Sequence, residues 1–143
     1  MAKYKIGYTQ GVFDMFHVGH LNLLINAKEQ CDLLIVGVNS DALVSSYKNR
    51  IPIINENDRM KIVGNIKCVD KVILADTLDK NRFLKELGFD VIFIGNDWKG
   101  NERWNKTVEE MKASGVDVVF LPHTDGVNSA MLRDQVSDKI NDE

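Results

Sequence analysis

Apolar runs of strand length, each followed by a stretch of helical character, constrain this chain more than any other feature. Leu33-Leu34-Ile35-Val36-Gly37-Val38 is the clearest of them. Its hydrophobicity is continuous rather than alternating, as in a strand covered on both faces within a parallel sheet. Tyr4 to Thr9, Val69 to Leu74, Asp90 to Gly95 and Val116 to Leu121 supply the other strands. Between and after them, Leu21–Lys28, Ala42–Ser46, Arg59–Lys67, Asp79–Leu87, Glu102–Ser114 and Ala130–Ile140 read as helices. The punctuation agrees. Asn39-Ser40-Asp41 is a capping cluster, Asn55-Glu56-Asn57-Asp58 places acid groups before a helix, and Gly88 and Gly115 stand where C′ glycines stop one. Five strands alternating with helices predict a single α/β domain over residues 1–143. It is a Rossmann-like three-layer domain with a five-stranded parallel sheet.

The chain has 143 residues, of which 44% are hydrophobic, enough for a real core. A formal net charge of −3 argues against a general nucleic-acid binder. No apolar run approaches the ~20 residues of a membrane span, and no signal peptide is visible behind Met1-Ala2-Lys3-Tyr4-Lys5. Cys31 and Cys68 are the only cysteines and fit a reducing compartment. The expectation is a cytoplasmic protein with no membrane insertion.

In such sheets ligands bind beyond the carboxyl ends of the strands, where strand order reverses. Three stretches follow strands and should converge there: the opening motif, the Asn96–Trp98 loop and the Thr124–Ser129 loop. The first is the richest. Gly11-Val12-Phe13-Asp14-Met15-Phe16-His17-Val18-Gly19-His20 spans the handover from the first strand to the first helix. A helix start offers unpaired N–H groups and the positive end of a dipole, both favourable to a phosphate. Gly19 admits close approach, and His17 and His20 can donate from imidazole N–H. The same histidines could simply cap the helix or belong to a zinc site, although no further ligands are spaced for zinc. Asp14 could be a turn or cap residue.

The motif Gly11-x-Phe13-Asp14-x-x-His17-x-Gly19-His20 resembles the signature of the cytidylyltransferases, within the nucleotidyltransferase superfamily that shares the His-x-Gly-His element. The likeness covers almost the whole chain and is strongest to the bacterial enzymes acting on glycerol 3-phosphate. Lys48-x-Arg50 with Arg59, Lys67-Cys68-Val69-Asp70-Lys71-Val72, Gly95-Asn96-Asp97-Trp98-Lys99-Gly100 and Thr124-Asp125-Gly126-Val127-Asn128-Ser129 match its later motifs in order. The sequence departs from that pattern at Val12, at Lys67-Cys68, at His123 and at Asn128-Ser129-Ala130.

The resemblance implies that a substrate phosphate attacks the α-phosphorus of CTP and releases pyrophosphate. The acceptor would be a small polyol phosphate such as glycerol 3-phosphate, the metal Mg²⁺, the assembly a homodimer, and the product a precursor of cell-wall or capsule polymers. It implies transition-state contacts from His17, His20, Lys48 and Arg59. It implies nucleotide binding by Gly11, Val12, Phe13, Asp14, Gly19, Asp97, Trp98, His123, Thr124, Gly126, Asn128 and Ser129. Arg50 and Lys67 would serve the acceptor, and Asp14 would reach Mg²⁺ through the phosphates. Two polyanions must meet in such a reaction, and Lys48, Arg50, Arg59, Lys61 and Lys67 cluster in one stretch of an otherwise acidic chain. The bland counterpart is a solvated basic face, with Arg59 pairing Glu56 or Asp58. Two other readings stay open: an ATP-dependent adenylyltransferase of the same superfamily, and a non-catalytic nucleotide-binding domain.

Overall fold

The computed structural model describes residues 3–95 and 102–122, apart from the side chain of Arg103. Among them the order is β1 (Tyr4–Gly11), α1 (Val18–Lys28), β2 (Cys31–Asn39), α2 (Asp41–Lys48), α3 (Glu56–Gly64), β3 (Lys71–Ala75), α4 (Lys80–Leu87), β4 (Val91–Gly95), α5 (Glu102–Ala113) and β5 (Asp117–Leu121). The strands form one sheet in the order β3-β2-β1-β4-β5, and every pairing is parallel. The chain is thus the three-layer α/β fold that the alternation predicts. The expected terminal helix Ala130–Ile140 lies outside the described residues.

β2 shows why its hydrophobicity is continuous. Leu34, Val36 and Val38 face a core shared with Leu24 and Ala27 of α1 and Val63 of α3. Ile35 faces the opposite core, with Phe83 of α4 and Met111 of α5. Successive strand residues point to opposite faces, so a strand between two helical layers is apolar at both parities. Gly37 breaks that run for a steric reason: a Cβ there would overlap the hydroxyl of Tyr8 on β1. Gly37→Ala should therefore destabilise the domain by about 1–3 kcal/mol, the usual cost of overpacking a tight core. Urea titration checks this; an unchanged midpoint would mean that Tyr8 moves aside without cost.

The capping signals work as read. Ser40 accepts from Leu43 N, Asn55 from Asp58 N and Asp79 from Asn81 N. Gly88 and Gly115 carry φ of +67° and +78°. Several boundaries move. β1 runs on to Gly11, α1 starts at Val18 rather than Leu21, β2 extends to Cys31–Asn39 and α2 to Lys48, α3 starts at Glu56 and stops at Gly64, and β3 starts at Lys71 rather than Val69. Val69 is in a turn, its N–H donating to Ile66 O, and Asp70 beside it accepts from Leu34 N at 2.7 Å. Among the described residues, no helix is long and apolar enough to cross a membrane.

Candidate functional site

Strand order reverses between β1, which pairs with β2, and β4, which takes the other side of β1. The Gly11–His20 stretch leaves β1 at that point, where the topology places a ligand crevice. Its backbone is strained: Phe13 and Met15 have φ of +54° and +49°, the left-handed region that side chains rarely adopt. Contacts on several sides hold it there. Phe13 is buried against Phe16 and His20. Asp14 accepts from Ile53 N and Ile54 N, both at 2.9 Å. Val12 O accepts from Arg59 Nη1 at 2.8 Å.

The two histidines form the capping box of α1. Gly19 N donates to His17 Nδ1 at 3.0 Å, and His17 N donates to His20 Nδ1 at 3.2 Å. The capping alternative is thus true, and it has a chemical consequence. An Nδ1 that accepts carries no proton, so each neutral ring carries its hydrogen on Nε2. The rings stack with centroids 3.9 Å apart. Two neutral donors of fixed tautomer therefore stand side by side at a helix N-terminus.

Burial, and then the neighbouring His17, push the His20 pKa down to about 4, with Asp14 opposing weakly. Protonation would also remove the Nδ1 lone pair that the His17 amide uses. In the unfolded chain His20 binds its proton near pH 6.5, so from pH 6.5 down to 4 the unfolded state binds more protons and stability falls. The loss attributable to His20 over that window is up to about 3 kcal/mol. Urea titrations at stepped pH should show it, and His20→Asn should flatten that part of the curve. An equally steep curve in the variant would place the acid sensitivity elsewhere.

Arg59 departs from its expected role. It is fully buried. Its guanidinium donates to Ile54 O, Val12 O, Asn39 O and the Asp41 carboxylate. Those four bonds join the end of β1, the end of β2, the first turn of α2 and the segment before α3. Arg59 clamps these segments together under the site, and its ionic partner is Asp41 rather than Glu56 or Asp58. Asp41 and Glu56 reinforce it by exchanging backbone-to-carboxylate bonds across the two helix starts.

Asp14 is likewise held inside the fold: it is 1% exposed and accepts from two amides, which tethers the 53–54 segment to the motif. Among the described residues, no group of three or more His, Cys, Asp or Glu could hold a metal ion.

Lys48 ends α2 and Arg50 follows it, both exposed, on the segment that Asp14 ties to the motif. Lys67 is placed elsewhere. Lys71 is in register with Ile35, and Ile35 with Tyr8, three residues before Gly11. Lys67 precedes Lys71 by four residues, so it lies before the amino end of β3, whereas His17 follows the carboxyl end of β1. The cause is topological: a parallel crossover returns its helix to the start of the next strand, and Lys67 is on that return. Asp97, Trp98, His123, Thr124, Gly126, Asn128 and Ser129 lie outside the described residues, although β4 and β5 end at the same carboxyl edge as β1.

Sequence reasoning missed Gln10, Asn39 and Tyr47, which are joined by hydrogen bonds along this edge. A signal existed for two of them. Gln10 and Asn39 are polar residues near the carboxyl ends of two mainly apolar strands, and Asn39 belongs to a capping cluster in which Ser40 makes the cap.

A strained turn leads to two stacked, neutral imidazoles at a helix start, over the reversal point of a parallel sheet, and a helix start of this kind favours an anion. The comparisons agree with that class. The model of the cytidylyltransferase-like family matches residues 8–135, so the chain belongs to the cytidylyltransferase-like family. It is 35% identical over 132 residues to the bifunctional protein HldE of Hyphomonas neptunium. It is 30% identical over 133 residues to HldE of Citrifermentans bemidjiense. Each match covers 92% of this chain but 27% of the relative, so the chain spans about a quarter of the length of these proteins. A crystal structure of the lipopolysaccharide core biosynthesis protein from Thermoplasma volcanium GSS1 superposes with a TM-score of 0.70 at 29% identity. That match covers 85% of this chain and 97% of the other.

Proposed function

We propose that this protein moves a nucleotidyl group from a nucleoside triphosphate to a phosphorylated polyol or sugar and releases pyrophosphate. The observation that carries this is the paired Nε2–H donors of His17 and His20 at the start of α1. The acceptor's phosphate is already anionic at neutral pH, so its oxygen attacks the α-phosphorus without a base. The bond to the β-phosphate oxygen breaks and pyrophosphate leaves with the electron pair. Charge gathers on the phosphoryl oxygens in the transition state, and fixed donors stabilise it with little reorganisation. Lys48 and Arg50 offset the repulsion between the two reactants. Mg²⁺, bound to the triphosphate, would supply further charge neutralisation.

The motif resemblance favours CTP with glycerol 3-phosphate. The likeness to a lipopolysaccharide core biosynthesis protein favours a sugar phosphate, and ATP is the alternative donor within the superfamily. Pyrophosphate release from CTP and from ATP, each against glycerol 3-phosphate and a panel of hexose and heptose 1-phosphates, decides between them. Tight nucleotide binding with no release from any pair would leave a binding domain instead. A homodimer belongs to the same proposal, and light scattering tests it.

A further inference from the structure

The carboxyl edge carries a second polar assembly, on the β2 and β3 side of the histidines. Tyr8 O–H donates to Gln10 Oε1 at 2.7 Å. Gln10 Nε2 donates to Thr77 O and to Asn39 Oδ1, both at 2.9 Å. Asn39 Nδ2 donates to Tyr47 Oη at 3.1 Å. The direction of this relay follows from one atom. Thr77 contributes a backbone carbonyl, which only accepts, so the Gln10 group facing it is the NH₂. The oxygen of Gln10 then faces Tyr8, an O–H donor. Asn39 meets an N–H and must present its oxygen, which turns its own NH₂ toward Tyr47. Tyr47 accepts there, so its own hydrogen points away from the relay.

No acceptor for that hydrogen occurs among the described residues. Tyr8 is fully buried and Asn39 is 4% exposed, whereas Tyr47 is 37% exposed. The relay is thus a partly buried series of oriented dipoles ending on an open O–H donor, and each bond polarises the next. The ammonium of Lys48, 5.9 Å from the Tyr47 ring centroid, adds positive potential beside it. Such a tip recognises an oxygen with lone pairs, above all an anionic one.

We propose that Tyr47 binds the acceptor, donating its hydroxyl hydrogen to an oxygen of the phosphorylated polyol or sugar, with Gln10 and Asn39 as the residues that position it. This rests on the nucleotidyl-transfer reading. The strand order assigns the occupant. The loops that the sequence gives to the nucleotide follow β4 and β5, on one side of β1, and the relay spans β1, β2 and the end of β3, on the other. That side falls to the second reactant.

Steady-state kinetics on the full chain test this, varying the nucleotide (CTP or ATP) and the acceptor (glycerol 3-phosphate or a sugar 1-phosphate) separately. Tyr47→Phe removes only the hydroxyl. It should raise the acceptor KM about three- to tenfold, the range of one neutral hydrogen bond, and leave kcat and the nucleotide KM near wild type. Asn39→Asp puts an acceptor where the NH₂ stood, so Tyr47 turns its hydrogen inward. It should raise the acceptor KM by a similar factor although the phenol is intact, and the double variant should be no worse than either single one. If Asn39→Asp does not fold, the KM split of Tyr47→Phe decides alone. An unchanged acceptor KM in Tyr47→Phe, or an equal rise in the nucleotide KM, overturns the assignment while transfer stands. No pyrophosphate release by the wild-type protein with any pair overturns the transfer reading, and this assignment with it.

Discussion

Arg59→Met should destabilise the domain by about 3–5 kcal/mol, the scale of breaking a buried ion pair by removing one partner. The reason is accounting of polar groups rather than of charge alone. Without the guanidinium, three backbone carbonyls at Val12, Asn39 and Ile54 lose a donor, and the Asp41 carboxylate loses its counter-ion. Each orphaned group costs about 1–3 kcal/mol when it stays dry, so partial entry of water sets where in the range the loss falls. Arg59→Lys should recover little, because a single ammonium cannot reach four acceptors that match a planar fork. Thermal melts and urea titration read the loss directly. A variant with wild-type stability and a raised substrate KM would restore Arg59 to the phosphate site and refute the clamp.

Arg59 also marks the limit of what the chain reveals as text. The sheet, its parallel sense and most helix boundaries follow from short-range signals: apolar runs, caps and C′ glycines. The motif was legible because its parts are contiguous, and a strand, a turn and a helix start must bring contiguous residues together. What a cation faces depends on residues far away in sequence. Arg59 directly follows Asp58 and stands three residues after Glu56, so local reading pairs it with them, and family likeness sends it to phosphate. The fold instead brings Asp41 and the ends of two strands under it. The placement of Lys67 was hidden for a related reason. Sequence proximity to other basic residues suggests one patch, but α3 carries the chain from the carboxyl edge to the amino edge between Arg59 and Lys67. Tyr47 was invisible because its role lies in the direction of a hydrogen bond, which no pattern of residue types encodes.

His17→Asn and His20→Asn should each lower kcat by about 10²–10³, the cost of removing one donor aimed at developing charge. Asparagine separates the two tasks of these histidines. Its side-chain oxygen can take over the acceptor role of Nδ1, and Asn is among the best N-cap residues, so the helix start survives at position 17 with a change of a few tenths of a kcal/mol at most. The side chain is too short to place an N–H where Nε2 stood. Stability and turnover should therefore part company: a nearly unchanged melt for His17→Asn beside a collapse in kcat. His17→Ala should show both losses, with about 1 kcal/mol of stability gone as the cap disappears. At position 20, burial between Phe13 and Phe16 makes the stability cost larger, so the kcat ratio there is taken at a temperature well below the melt. Pyrophosphate release under saturating nucleotide and acceptor gives the numbers. Equal kcat for wild type and His17→Asn would reduce the histidine pair to a helix cap and remove the ground on which phosphoryl chemistry is assigned to this edge of the sheet.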